Sequence, residues 1–387
     1  MTHSIRIGLQ VLLLWCAGLG AATQFAKFAV PFGEVGLLYP DHADGLGWLL
    51  SIISLMGAVL GATSGAITGR VGPVRLLLWG LVLGGGISLL QATLPGFALM
   101  LASRVVEGLS HLAIVVAAPT LIAQITQGKA RNVAMVLWSS FFGVAFALNA
   151  WFGLPFVDRF GLPIYFALHG GQMLVIAGLV LTCRLPVVAS EADETSGGFL
   201  QAHLQTYRSP FISAPALGWF FYTLTFVSLL AILPGRLPEG QGAAIAALMP
   251  LAGIVLSWLA VPLLLNVMTS IAVVNLGLGL GILTILALFL GAPLAVTSVA
   301  LFAVLGLVQG GSFAAVPQLN ASANAQALSY GAMAQMGNAG NLLGTPVLLA
   351  VLWRGDETGM FIAVACIYGA AILLHLWLGL RRRRYPV

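Results

Sequence analysis

Uncharged apolar runs about twenty residues long recur from one end of this chain to the other, and no other feature limits its fold so strongly. A helix rises about 1.5 Å per residue, so ~20 residues cross a hydrocarbon core ~30 Å thick. Read at that length, the chain holds twelve spans, at 8–30, 47–68, 75–92, 97–124, 132–152, 162–183, 210–233, 242–265, 270–290, 294–317, 328–352 and 358–380. Stretches such as "GRVGPVR" and "WRGDETG" punctuate them with Gly, Pro and charge. Only 7% of the 387 residues are charged, against about 25% in a soluble domain. That is too little charge to cover a water-facing surface. The expected class is an all-α integral membrane protein with twelve transmembrane helices.

The one long polar break, "RLPVVASEADETSGGFLQAHLQTYRSP", splits the spans six and six. It predicts a six-helix bundle over 1–183, a cytoplasmic central loop over 184–209 and a second six-helix bundle over 210–387. The opening "MTHSIRIGLQVLLLWCAGLGAATQ" has features of a signal peptide, but reads as span 1 because its removal would break the six-plus-six plan. With both termini cytoplasmic, the inner segments hold eleven basic residues: Arg6, Arg70, Arg75, Lys129, Arg131, Arg184, Arg208 and Arg381 to Arg384. The outer loops hold three, Arg159, Arg236 and Arg354. The formal charge of +5 therefore reports topology in a plasma (bacterial inner) membrane and implies no nucleic-acid partner. Contact with the bilayer is expected, and a monomer.

The halves also resemble each other. An offset of 198 carries Gly108 onto Gly306, Leu109 onto Leu307, Pro119 onto Pro317, Asp158 onto Asp356 and Gly161 onto Gly359. Spans 2 and 8 fit an offset near 196, as in Gly57 onto Gly253. Spans 1 and 7 give no convincing register. Two pseudo-symmetric six-span bundles with a site at mid-membrane are a known transporter plan.

Twelve spans, this repeat and a central loop resemble the major facilitator superfamily over essentially the whole chain. "GAITGRVGPVR" is similar to the family's loop motif at Gly65, Arg70, Gly72 and Arg75, with Gly69 standing where an acidic residue is usual. Arg104-x-x-x-Gly108 is similar to its span-4 arginine motif, while the span-5 glycine-proline motif of many antiporters is missing from "FFGVAFALNAWFG". The resemblance implies alternating access and a cavity lined by spans 1, 4, 7 and 10.

Within the spans, the costly residues are informative. Arg104, Glu107, Gly108 and His111 share one helical face, and a charge at the bilayer centre costs about 2.5–3.5 kcal/mol. The face must turn inward. Either Arg104 and Glu107 neutralise each other structurally, or Arg104 offers fixed charge while Glu107 or His111 exchanges a proton. Lys27 either snorkels to the outer interface or, at a depth comparable to Arg104, converges with it and Gln24. Two cations against one carboxylate suit an anion. The second half has no charge within its spans and offers Gln309, Gln335, Asn338 and Asn341, either as helix cross-links or as neutral substrate contacts. Trp219 and Tyr222 serve as an apolar wall or as core. His169 and His375 read as isolated structural residues. The Gly57, Gly61, Gly65, Gly69 stripe reads as a packing face.

Three scattered cysteines and the lack of HExxH, P-loop or nucleophile-elbow patterns point to no enzyme, metal or cofactor. The expected function is secondary active transport of a small organic or inorganic anion, coupled to protons as a symport. A proton-linked exporter of amphipathic or cationic compounds is the alternative, with Glu107 holding the cation. A non-transporting sensor lacks the soluble domain it would need.

Overall fold

The computed structural model describes residues 3–61, 68, 71–127, 130, 134, 137–138, 140–183, 185, 206–321 and 323–384, and these contain helices and no strand. The first half holds α1 (His3–Ala29), α2 (Phe32–Leu38), α3 (Leu46–Ser51), α4 (Leu55–Leu60), α5 (Pro73–Gln91), α6 (Phe97–Ile125), α7 (Phe141–Leu148) and α8 (Leu154–Thr182). The second holds α9 (Ser213–Ile232), α10 (Gly242–Leu264), α11 (Ser270–Phe289), α12 (Leu294–Leu319), α13 (Ala323–Arg354) and α14 (Glu357–Arg383).

Helix boundaries follow local chemistry. Gly72, at φ 85°, sits ahead of α5 in a backbone region that favours glycine, and Pro73 fills the first helical turn, where no N–H is needed. Thr269 accepts from the Ala272 N–H at 3.3 Å to cap α11, and Asp356 accepts from the Gly359 N–H at 2.8 Å to cap α14. Between α7 and α8 the chain makes a π-helical turn over Asn149–Gly153, and Gly161 at φ 80° breaks α8 near its start.

Ten helices among the described residues are long and apolar enough to cross a membrane. Two differences separate that number from the twelve predicted runs. The fifth and sixth runs count as one apolar stretch, Phe141–Thr182, because a π turn and a short helical segment fill the connection between them; Gly161 at φ 80° still breaks the helix where the sixth run begins. The eleventh run, within α13, is absent from the ten; Gln335, Asn338, Asn341 and its glycines dilute its apolar character.

The chain divides into two units, Met1–Met56 with Thr63–Thr195, and Gly57–Ala62 with Ser196–Val387. In the first unit the core gathers Leu14 and Ala21 of α1, Leu81 of α5, Ile114 and Leu121 of α6 and Met173 of α8. In the second, Ala216, Val316, Ala332 and Met333 join α9, α12 and α13, while Val261, Val273 and Leu307 join α10, α11 and α12. Lipid offers helices no hydrophobic drive toward each other, so close backbone approach matters more. A Cβ on Gly108 would overlap the Ile53 carbonyl oxygen, and one on Gly306 would overlap that of Gly253. Gly57 and Gly61 of the glycine stripe pack against Asn338 and Gln335 within the second unit, while Gly65 and Gly69 lie outside the described residues.

Candidate functional site: a buried charged cluster

The first unit brings four helices together around three charges. Lys27, near the end of α1, donates from Nζ to Glu107 Oε1 at 2.6 Å and to Ser88 Oγ at 2.5 Å. Glu107 Oε2 accepts from Arg104 Nη1 and, at 3.0 Å, from Gln91 Nε2 of α5. Arg104 donates further to the Gln24 carbonyl at 2.7 Å through Nη1 and to the Leu49 carbonyl at 2.8 Å through Nε. The Phe28 ring lies 4.3 Å from the guanidinium carbon and 5.9 Å from the ammonium, and Phe166 flanks the ammonium at 5.7 Å. Lys27, Arg104 and Glu107 are all 0% exposed.

Desolvating an ion costs several kcal/mol, repaid only when its partners are close and its remaining donors and acceptors are filled. Here the carboxylate receives three donors. Lys27 does not snorkel outward; its whole side chain is spent inside the bundle.

Histidine protons follow from their partners. His169 Nε2 lies 3.0 Å from the Gly20 carbonyl, which can only accept, so Nε2 carries hydrogen. Nδ1 is then free to accept the Ser88 hydroxyl at 2.8 Å, while Glu107 Oε1 is more distant from that hydroxyl at 3.5 Å. By the same logic His111 Nδ1 donates to the Ala21 carbonyl at 3.0 Å, and its ring packs edge-on to Phe25 at 4.9 Å. With both imidazoles neutral, the cluster carries one net positive charge. It also has loose ends: Arg104 Nη2, Gln24 Oε1 and Gln91 Oε1 are buried without a hydrogen-bond partner among the described residues.

The chain as a whole matches a known scaffold. The family model described as Major Facilitator Superfamily covers residues 14–345. The chain belongs to this superfamily. A solved structure titled as a bacterial homolog to the human lysosomal transporter Spinster, inward-facing and unoccupied, superposes with a TM-score of 0.67. At 15% identity over 97% of this chain and 95% of that one, the likeness is one of fold. Among curated proteins none matches.

Of the superfamily's loop motif, Gly65 and Arg70 fall outside the described residues, Gly72 precedes α5, and Arg75 is exposed on its first turn. Of the arginine motif, Gly108 provides the close approach and Arg104 the charge. The face drawn from Arg104, Glu107 and His111 divides in space. Arg104 and Glu107 meet Lys27, whereas His111 is held by α1 backbone. Gln24 joins through its backbone, and its side chain donates to Ser110 Oγ at 2.7 Å.

Ser88, Gln91 and His169 were not among the expected site residues. His169, expected to be isolated, is a member of the cluster. A polar pair three apart on one helix, Ser88 and Gln91, was the available signal, but serine and glutamine cost too little in a span to stand out.

The second unit carries aromatic rings at the equivalent places. The pair Phe28–Arg104 and the pair Phe226–Phe302, whose centroids are 5.1 Å apart, stand at the same offset of 198. Gln24 then corresponds to Tyr222 and Lys27 to Thr225, whose Oγ1 lies 3.0 Å from the Tyr368 hydroxyl. Trp219 stacks on Tyr222 at 4.6 Å and meets Phe313 edge-on at 5.2 Å. Of the amides, Gln335 accepts from Tyr207 at 2.8 Å and donates to the Ala58 carbonyl at 3.0 Å. Asn338 bonds back to the Ala334 carbonyl at 2.9 Å, and Asn341 Oδ1 is buried without a partner among the described residues. Gln309 is half-buried.

Proposed function

We propose that this superfamily member is a secondary active transporter that moves a small organic or inorganic anion by alternating access, coupled to protons. It lies in a plasma membrane with both termini cytoplasmic. One observation carries the anion reading: among the described residues Arg104 Nη2 has no hydrogen-bond partner, in a cluster whose charge already sums to one excess positive. A guanidinium edge with free donors is suited to a carboxylate or phosphate oxygen. Gln309, Asn338 and Asn341 would add neutral contacts, and Trp219 with Tyr222 an apolar wall.

Export of cationic compounds on Glu107 is the weaker reading. That carboxylate already accepts from Lys27, Arg104 and Gln91, and a cargo cation would have to displace one of them. The test is a thermal-shift screen of purified protein against carboxylates, inorganic phosphate, sulfate and cationic drugs, followed by uptake of each hit into proteoliposomes. Anion hits whose uptake is lost in Arg104→Ala and Lys27→Ala are expected. Stabilisation by cations alone, or unchanged anion uptake in both variants, would sink the proposal.

A further inference from the structure

We propose that the exchangeable proton of this transporter resides on Lys27, and that Ser88 and His169 form the relay that takes it. This names the coupling group within the proton-linked reading above and rests on it.

The case is one of charge and of hydrogen-bond direction. The groups against the Lys27 ammonium are Ser88 from α5, Glu107 from α6 and His169 from α8, with the Phe28 and Phe166 rings beside it; Arg104 and Gln91 stand one step away, on the far oxygen of Glu107. Protonating Glu107, His111 or His169 would take a dry cluster from one net positive charge to two. Arginine does not deprotonate in proteins. Loss of the Lys27 proton is therefore the one ionisation that lowers the buried charge, from one to zero.

A path for that proton is already aligned. Ser88 Oγ receives the Lys27 N–H at 2.5 Å and directs its own hydrogen to His169 Nδ1 at 2.8 Å. In the step, a Lys27 N–H bond breaks as an O–H bond forms on Ser88, and the original Ser88 hydrogen moves to His169 Nδ1. The products are a neutral amine, an intact hydroxyl and an imidazolium whose Nε2–H still donates to the Gly20 carbonyl. The proton stays on His169 Nδ1 until the alternating-access movement proposed above admits water to the cluster; water then takes it, and the Ser88 hydroxyl turns back toward Nδ1. The direct Lys27–His169 separation of 3.4 Å is too long to serve as well as the serine bridge.

The sequence makes the test unusually clean, because Lys27 and Lys129 are its two lysines. A Lys129→Arg parent, full length in nanodiscs and labelled with nitrogen-15 at lysine Nζ, reports Lys27 alone. Magnetisation transfer from water to that resonance measures proton exchange without any substrate. Ser88→Ala and His169→Asn are each expected to slow exchange by at least about tenfold, as for loss of a positioned proton acceptor. Asn keeps an acceptor for the Ser88 hydroxyl but cannot be protonated, and Ser88→Thr should restore the parent rate.

A merely structural role predicts the opposite sign, since loosening the cluster admits water and speeds exchange. Gln91→Ala, which disturbs the cluster off the path, should show that acceleration. Exchange in His169→Asn that equals or exceeds the parent rate overturns the relay, and this variant decides alone if Ser88→Ala does not fold. Because no cargo is present, failure of every anion in the thermal-shift screen would leave this result standing, and slowed exchange would not rescue the anion reading.

Discussion

Glu107→Gln tests whether the cluster is dry. The substitution conserves shape but removes the one negative charge, leaving the Lys27 ammonium and the Arg104 guanidinium buried together at 0% exposure. Removing one partner of a buried ion pair typically costs about 3–5 kcal/mol, most of it the penalty on the charge left behind. Here two cations are left behind, so a loss toward the upper end of about 3–5 kcal/mol is expected. Lys27→Met is the informative contrast. It leaves Arg104 and Glu107 as a neutral pair, with Gln91 still donating to the carboxylate. It removes the excess charge, and its cost reduces to lost hydrogen bonds at Glu107 and Ser88, about 1–3 kcal/mol. Unfolding of the purified protein in mild detergent, followed by tryptophan fluorescence against denaturant, would rank the two. Raising the pH should shrink the Glu107→Gln penalty, because the Lys27 proton can then leave. Equal losses for the two variants, or a Glu107→Gln loss below about 1 kcal/mol, would mean a hydrated, screened cluster and refute the reasoning.

Other substitutions probe the scaffold. Gly108→Val and Gly306→Val each drive a side chain into a neighbouring carbonyl and should cost about 1–3 kcal/mol as overpacking, read as a lowered melting temperature. Tyr165→Phe removes the hydroxyl that donates to Asn149 Oδ1; the same melting assay should show a loss of about 1–3 kcal/mol for a buried acceptor left unmet. Arg236→Ala breaks an ion pair with Glu357 that is 40% and 46% exposed, and should change stability by less than about 1 kcal/mol, vanishing in high salt.

The apolar runs were legible because a bilayer imposes length and composition on each span separately, with no need to know its neighbours. The inward face of α6 was legible for the same reason: Arg104 and Glu107 are costly wherever they meet lipid, so their direction follows from their presence. Distance from the span ends likewise gave Lys27 and Arg104 comparable depths. His111 shows the limit of such reasoning. Helical spacing puts it on the Glu107 face, but the Ala21 carbonyl on α1 takes its N–H, and spacing along one helix says nothing about another helix's backbone.

The sequence by itself determined a membrane-embedded helical chain and showed that charge within the spans lies in its first half. Each of these is a property of single residues or of one-dimensional spacing. Tertiary structure alone decided that Lys27 pairs with Glu107, that Ser88 lies between Lys27 and His169, and that Phe226 and Phe302 repeat the contact of Phe28 and Arg104. These depend on which helices pack and in what rotation. In a membrane that choice rests on a few close glycine contacts and on hydrogen bonds between side chains far apart in sequence, and neither leaves a periodic trace along the chain.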